Sequence, residues 1–466
     1  MSVKKTAEGH EYKVGGGISN GLPCNGVITP ASSSAQVTSK TFDTIIIGAG
    51  FAGLTAARDL ALSGHHVLLL EGRDRIGGRT WTSNVDDHLY EMGGTWIHWE
   101  QPHVYREMAR YNFHKDFVVT GDVPDQPRSV LVDDNGEKQH LSLETFDKLA
   151  DHVFKNYCNV DGEEGKTAIP FPHDSLRNPD ARAYESLSVN DRLNQVRGSL
   201  TKTQICILKG LIEGIVGNED FDNGQTHFAL QFFKEAVQSQ RLSYIFKARV
   251  ESVSDKNGSV TVTLRDGRQF CGRLLVSTVP LNVLREVKFD PPLSATRDEA
   301  ARIGQVHNGA KIHFKIGASE TRPLSVLRYP KARMVATLGD GRTKSNGSRH
   351  MVAFGRNDAS LSTEGDAKSF CDEAREAYPD MPVEKVLWHD WSRDELAKGG
   401  WCMYRPDFAF RYQDALRKRA GNVLFANADW ALGWRGFIDG AIEEGTRAAF
   451  EVKNELMSSH VTKASL

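Results

Sequence analysis

Residues 45–80 read IIIGAGFAGLTAARDLALSGHHVLLLEGRDRIGGRT, and this run decides the fold. Ile45, Ile46 and Ile47 make a short β-branched apolar run of the kind buried in a parallel sheet. Gly48, Gly50 and Gly53 follow at the spacing that gives a tight turn, a close backbone approach to a pyrophosphate and close packing of helix on strand. The helix opening at Phe51 and Ala52 aims its free N–H groups and the positive end of its dipole at the phosphates. Gly64 falls where a helix C-cap belongs, and His66 to Leu70 is the second strand. Glu71, at the tip of that strand, can accept both hydroxyls of an adenosine ribose and would repel a 2′-phosphate, which leaves FAD or NAD.

The chain has 466 residues, too many for one simple core, so two domains are expected. A hydrophobic content of 39%, a charged content of 25% and a net charge of −2 describe an ordinary soluble protein, with no reason to expect nucleic acid or an anionic membrane as partner. The longest apolar stretches, Thr44 to Ile47 and Val67 to Leu70, are far too short to span a bilayer, so no membrane anchor is expected. Residues 1–40 are rich in Gly, Ser, Pro and Lys, lack a signal-peptide core and are expected to form a flexible arm, with Gly21 to Pro30 able to lie against the body. Six scattered cysteines, Cys24, Cys158, Cys206, Cys271, Cys371 and Cys402, show no metal-ligand spacing and point to a reducing compartment without a metal site. The terminus Ala464-Ser465-Leu466 is similar to a peroxisomal Ser-Lys-Leu signal without its basic residue, leaving cytoplasm or peroxisome as the location rather than secretion.

Strand patterns return late in the chain. Ser259 to Leu264 alternates, Asp266-Gly267 is a hairpin turn, and Arg273 to Thr278 is a further strand. Gly421 to Asn427 reads as a buried strand running into a glycine-rich turn and a helix with Ala441, Ile442, Gly445, Ala448 and Ala449 at helical spacing. Helix-rich stretches lie between. The fold expected is α/β: a discontinuous Rossmann-like domain from residues 41–100, 240–311 and 417–456, an inserted α+β second domain from 101–239 and 312–416, and a tail at 457–466.

The continuation past Glu71 separates FAD from NAD. Arg73 to Thr80 sets a second glycine pair and a cation where a nicotinamide enzyme starts its next helix, and it resembles the R-x-G-G-R turn of the flavin amine oxidase superfamily. The run FANADWALGWRGFIDGAIEEGTRAA at 425–449 is similar to the closing motif of flavin monoamine oxidases. With Glu91 to His98 (EMGGTWIH) and Ser277 to Pro280 (STVP), the resemblance extends from Thr41 to about Val452. It is strongest to the fungal, Aspergillus-type members, through Arg73 to Arg79, Phe171 to Asp174 and Asp439 to Thr446.

The resemblance implies an FAD-dependent amine oxidase. Gly48, Gly50, Ala52, Gly53, Glu71, Arg73, Gly78 and Arg79 would hold the adenosine and pyrophosphate half of the cofactor. Gly94, Thr95 and Trp96 would lie along the ribityl chain and flavin, Val250 would pair by backbone with the adenine, and Asp429 and Ile438 would contact the phosphate and isoalloxazine. Lys311 matches the family lysine that holds a water near flavin N5, although read alone it is a solvated strand lysine. Trp401 and Phe437 match two aromatic walls beside the substrate nitrogen; aromatic faces are apolar yet attract a cationic amine, while read alone both residues are core packing. Some members tether flavin through a cysteine just before the first aromatic. Here that position is Gly400, with Cys402 displaced from it, so FAD is expected to bind noncovalently.

The implied reaction passes a hydride equivalent from the α-carbon of a neutral amine to the flavin, leaving an imine that water hydrolyses to a carbonyl and ammonia. The implied partners are a small-molecule amine and O2, which would yield hydrogen peroxide, and a homodimer is left open. One departure concerns the stretch after Asn218, where relatives carry extra residues lining the substrate cavity. A widened pocket or impaired activity is therefore an alternative, as is a related flavoprotein acting on an amino acid or a desaturation substrate. A nicotinamide dehydrogenase would share the first glycine turn but not the second or the closing motif.

Overall fold

The computed structural model describes residues 4–33, 37, 41–119, 128–132, 135, 137–213, 219–221, 224–318, 323–328, 333–343, 347–356, 363–377 and 379–464. Two sheets organise them. The first has eight strands, in the order Leu242–Ile245, Val67–Leu70, Thr41–Ile47, Gln269–Ser277, Ser259–Leu264, Val250–Lys256 and Lys288–Asp290, with Val423–Phe425 also paired to Gln269–Ser277. Its central strands are parallel, and the register sets Ile47 beside both Leu70 and Ser277. Three strand ends therefore reach one edge together, and the glycine turn, Glu71 and Thr278 leave the sheet side by side. Ligands of open α/β sheets bind at such an edge.

The Phe51–Leu62 helix is buried nearly all round because its alanines let helices close in on it from two sides. It shares one core with the Gln225–Gln238 helix, through Phe228 and Phe232, and with the Ile438–Ala464 helix, through Ile442 and Ala448. The hairpin at Asp266-Gly267 forms as expected, with Val260, Val262 and Leu264 on its buried face. The second sheet has nine strands, in the order Gly17–Asn20, His10–Lys13, Val383–Trp388, Gly309–Ile316, Arg349–Arg356, Met334–Thr343, Pro323–Arg328, Arg128–Val132 and Lys138–Ser142. All its pairs are antiparallel except Arg128–Val132 with Pro323–Arg328. The Glu364–Ala377 helix covers it with Phe370 and Ala374.

Several boundaries differ from the expectation. The described part of the N-terminal arm, residues 4–33, is not loose. His10–Lys13 adds to the edge of Val383–Trp388, Tyr12 is buried in the second core, His10 stacks on Trp388, and Leu22 and Cys24 enter a third cluster with Trp81. Strand addition satisfies the arm's backbone, and apolar burial holds it. Gly309–Ile316 lies wholly in the second sheet, so Lys311 is carried there and not by the dinucleotide-binding pieces. Conversely, the Pro102–Arg110 and Gln225–Gln238 helices pack into the first core through Val104, Met108 and Phe228, because their apolar faces meet the Phe51–Leu62 helix side of the sheet. The strand expected at Gly421 to Asn427 is only Val423–Phe425, as Asn427 turns to cap a short 3-10 helix. No separate tail begins at 457, since the last helix continues to Ala464. Asn218 and the terminal Ser465 and Leu466 lie outside the described residues. No described helix is long and apolar enough to cross a membrane.

Candidate active site

The edge where the three strands end opens on a cavity of about 260 Å³. It is lined from the first sheet by Gly48, Gly50, Ala52, Glu71, Arg73, Gly78, Arg79 and Val250, from the linking segment by Gly94, Thr95 and Trp96, and from the second sheet by Lys311. Trp401, Phe437 and Ile438 complete it. Sequence positions almost four hundred residues apart are thus brought into one space.

The glycine turn is shaped by contacts that exclude a side chain. Gly48 has φ +104°, and a Cβ there would fall 2.3 Å from Thr278 Oγ1. A Cβ on Gly53 would fall 1.9 Å from the Gly48 carbonyl oxygen, so Gly53 serves the close helix packing that its spacing implies, and it stands behind the cavity wall. Gly50 is the N-cap of the Phe51–Leu62 helix, and no side chain caps it. Glu71 closes the turn from the other strand: Oε2 accepts from the Ala49 N–H (2.6 Å) and Oε1 from the Arg73 N–H (2.8 Å). Burial pushes its carboxyl pKa up, and these two amides pull against that rise. A carboxylate has about four lone-pair sites, so the amides leave acceptor capacity for a ribose.

Arg79 is fixed at three points. Nη1 donates to the Gly400 carbonyl (3.0 Å), and Nη2 donates to Asn427 Oδ1 (3.0 Å) and Asp429 Oδ1 (2.7 Å). Asp429 is fully buried and absent from the cavity wall; its other oxygen accepts from the Leu281 N–H (2.9 Å). The expected cofactor contact at Asp429 is therefore corrected: its carboxylate turns inward and orients Arg79, which does face the cavity. Arg73 lines the cavity, while its guanidinium is held bidentate by Asp394 (2.8 Å each) and also meets Glu8.

At the other end, Lys311 Nζ donates to the Gly93 carbonyl (3.0 Å) and to Thr95 Oγ1, and stands 4.8 Å from the centre of the Trp96 ring. A buried cation needs such partners, so the solvated-lysine reading does not hold. Phe354 stands edge-on to Trp401 at 6.3 Å, and Phe437 packs against Trp434 at 5.4 Å. Trp401 and Phe437 both face the cavity and are only partly buried, so neither is simple core packing. Sequence reasoning missed His307, Phe354, Trp391 and Asn427, all on the cavity wall. Only Asn427 had a signal, as a member of the closing motif; the others come from stretches whose pattern says strand or loop and no more.

A glycine turn, an acid at a strand end and the first residues of two helices converging on one cavity define a dinucleotide-dependent oxidoreductase. Residues 51–453 match the profile of the flavin containing amine oxidoreductases. Pseudooxynicotine dehydrogenase of a Pseudomonas species is 32% identical, over 89% of this chain and 87% of its own length. Nicotine dehydrogenase of Pseudomonas putida is 28% identical, over 91% of this chain and 93% of its own. The structure of putrescine oxidase bound to putrescine superposes with a TM-score of 0.73 at 19% identity, covering 89% of this chain and 99% of that one, which speaks to the fold alone. The chain belongs to the family of flavin-containing amine oxidoreductases, enzymes that use FAD.

The residues present fit that cofactor. Gly50 and Gly78 approach backbone to backbone, where a Cβ on Gly78 would lie 3.1 Å from the Gly50 Cα, so bare main chain faces the cavity beside an uncapped helix N-terminus. That is the donor set a pyrophosphate requires. The Ile438–Ala464 helix starts at the same wall and adds a second positive dipole end. Binding is noncovalent: Gly400 offers no sulfur, and Cys402 Sγ points to the Asp429 carbonyl (3.4 Å) with its thiol pKa pushed well up by burial.

Proposed function

We propose that the chain oxidises a small amine with an apolar body, the amine nitrogen lying between the Trp401 and Phe437 side chains and facing Lys311. The observation that carries this reading is Lys311, buried among aromatic rings and held by the Gly93 carbonyl and Thr95 at the wall of a cavity that also holds Trp401 and Phe437. FAD, when bound, supplies the two-electron acceptor for the amine α-carbon. The chain's own part is to bind, orient and exclude water. Aromatic faces hold the nitrogen, and the lysine presents N–H donors to a water at the reacting end. Arg79, fixed by Asp429 and Asn427, meets the negative charge of the cofactor's phosphate half. The family resemblance at Arg73 to Arg79 and Asp439 to Thr446 supports an affinity with the fungal branch.

Anaerobic mixing of the yellow holoenzyme with a panel of alkyl and arylalkyl amines tests the reading. Bleaching of the flavin by at least one amine is expected, with a slower rate in Lys311→Met at unchanged FAD content. A panel that leaves the flavin oxidised refutes it, and is the outcome expected if the stretch after Asn218 has cost the enzyme its substrate half. A second reading concerns the acceptor. Two relatives are dehydrogenases by name, which supports electron transfer to an acceptor other than O2. Reoxidation of the bleached enzyme by air, with peroxide released at the same rate as turnover, would favour O2; reoxidation only by a dye acceptor would favour the dehydrogenase reading.

A further inference from the structure

His307 lines the cavity and has no part in the roles assigned above. Its imidazole lies 3.7 Å, centroid to centroid, from a Trp401 ring with 30° between planes, a face contact much closer than the edge contact of Phe354 at 6.3 Å and 74°. The imidazole sits in a slot between two glycines. A Cβ on Gly400 would fall 2.6 Å from His307 Nδ1, and one on Gly309 would fall 2.6 Å from Nε2. Nδ1 is buried without a hydrogen-bond partner, so the slot and the indole hold the ring, and no polar contact at that nitrogen does. Burial lowers the pKa of His307 to about 4, which makes it a neutral plate at physiological pH.

We propose that His307 is a positioning residue for the amine, acting through Trp401: wedged between Gly309 and Gly400, it covers one face of the indole and leaves the other face to the cavity as the substrate wall. This rests on the amine-oxidising reading and adds to it what holds the wall in place. With the plate gone, the indole can tilt into the vacated slot, and its quadrupole no longer meets a cation face-on. The glycine at 400 then has a second consequence beyond lacking a tether. Any larger residue there would evict the imidazole.

The test uses the holoenzyme and two routes to the same defect, His307→Ala, which removes the plate, and Gly400→Ala, which fills its slot. The probe is benzyltrimethylammonium, a quaternary cation with no nitrogen lone pair to oxidise, its binding read from the flavin's visible absorbance. KM and kcat are measured with benzylamine. In each variant the probe Kd and the KM are expected to rise about 2- to 12-fold, the range an aromatic pair contributes, a change larger than any change in the kcat of His307→Ala. Because both changes act through one plate, the double variant is expected to be no worse than His307→Ala alone, whereas independent effects would multiply. Unchanged probe Kd and KM in His307→Ala, multiplying effects, or a wild type that does not bind the probe would each overturn the proposal. A wild-type flavin that no amine bleaches, combined with weakened probe binding in His307→Ala, would sink the amine reading and leave the wall assignment standing.

Discussion

Replacing Glu8 by alanine is expected to destabilise the holoenzyme by about 3 kcal/mol, far more than the loss of a surface ion pair. Glu8 lies in the arm, yet it bridges the guanidinium groups of Arg73 and Arg75, the second at 2.5 Å. The Arg75 side chain is fully buried and the Arg73 side chain 5% exposed, while Glu8 keeps 18% exposure. Burial already draws Arg73 down to about 10 and lowers Arg75. Arg73 keeps Asp394 when Glu8 is lost, whereas the direct contacts left to Arg75 among the described residues are the neutral carbonyls of Ile76 and Gly78 and the face of Trp81 at 4.8 Å, with the carboxylates of Asp394, Glu71 and Asp74 acting on it from farther off. Breaking a buried pair costs about 3–5 kcal/mol because the remaining charge is stranded, and the residual exposure of Glu8 selects the lower end. Since Arg75 holds the Gly78 carbonyl in the second glycine turn, FAD should also dissociate more readily. Urea unfolding of the holoenzyme followed by tryptophan and flavin fluorescence measures both effects. In an Arg75→Leu background, the cost of Glu8→Ala should shrink to about 1 kcal/mol or less, because no charge remains there to strand. A cost below about 1 kcal/mol in the native background, the range of an exposed pair, would refute the clasp.

Asp429→Ala frees one side of Arg79 without touching the cavity wall, and FAD affinity measured by titrating apoenzyme should fall about tenfold or more, as expected for a lost charge-assisted hydrogen bond. Acid precipitation of the holoenzyme should leave all flavin in the supernatant; flavin retained in the pellet would contradict noncovalent binding. For His307, the folded pKa of about 4 lies below the ordinary 6.5, so the unfolded chain takes up the proton first. Its share of stability is complete above pH 6.5 and declines as pH falls toward 4, by up to about 1.4 kcal/mol per unit. The stability difference between wild type and His307→Ala should narrow over that window, and a difference that is flat with pH would rule the burial argument out.

The dinucleotide half of this protein is legible in the order and spacing of its residues. Gly48, Gly50, Gly53, Glu71 and the turn at Gly78 and Arg79 lie in one short stretch, and the turn, cap or strand end each belongs to restricts its residue type, whatever distant partners it also meets. Such constraints leave their mark on spacing. The same holds for the hairpin at Asp266-Gly267 and for the alanine-rich helix after Phe51. The arm escaped that reading because its polar strand, HEYK, carries one buried ring, and strand addition to Val383–Trp388 needs an edge supplied from far along the chain.

Which distant residues meet was settled by the packing of the two sheets and their connections. It turned Asp429 from the cavity to the far side of Arg79, moved Lys311 from the dinucleotide pieces to the second sheet, and set His307 against Trp401 between two glycines. The physical reason is that desolvation, ion pairing and ring contact depend on separation in space, and no local pattern encodes a partner three hundred residues away.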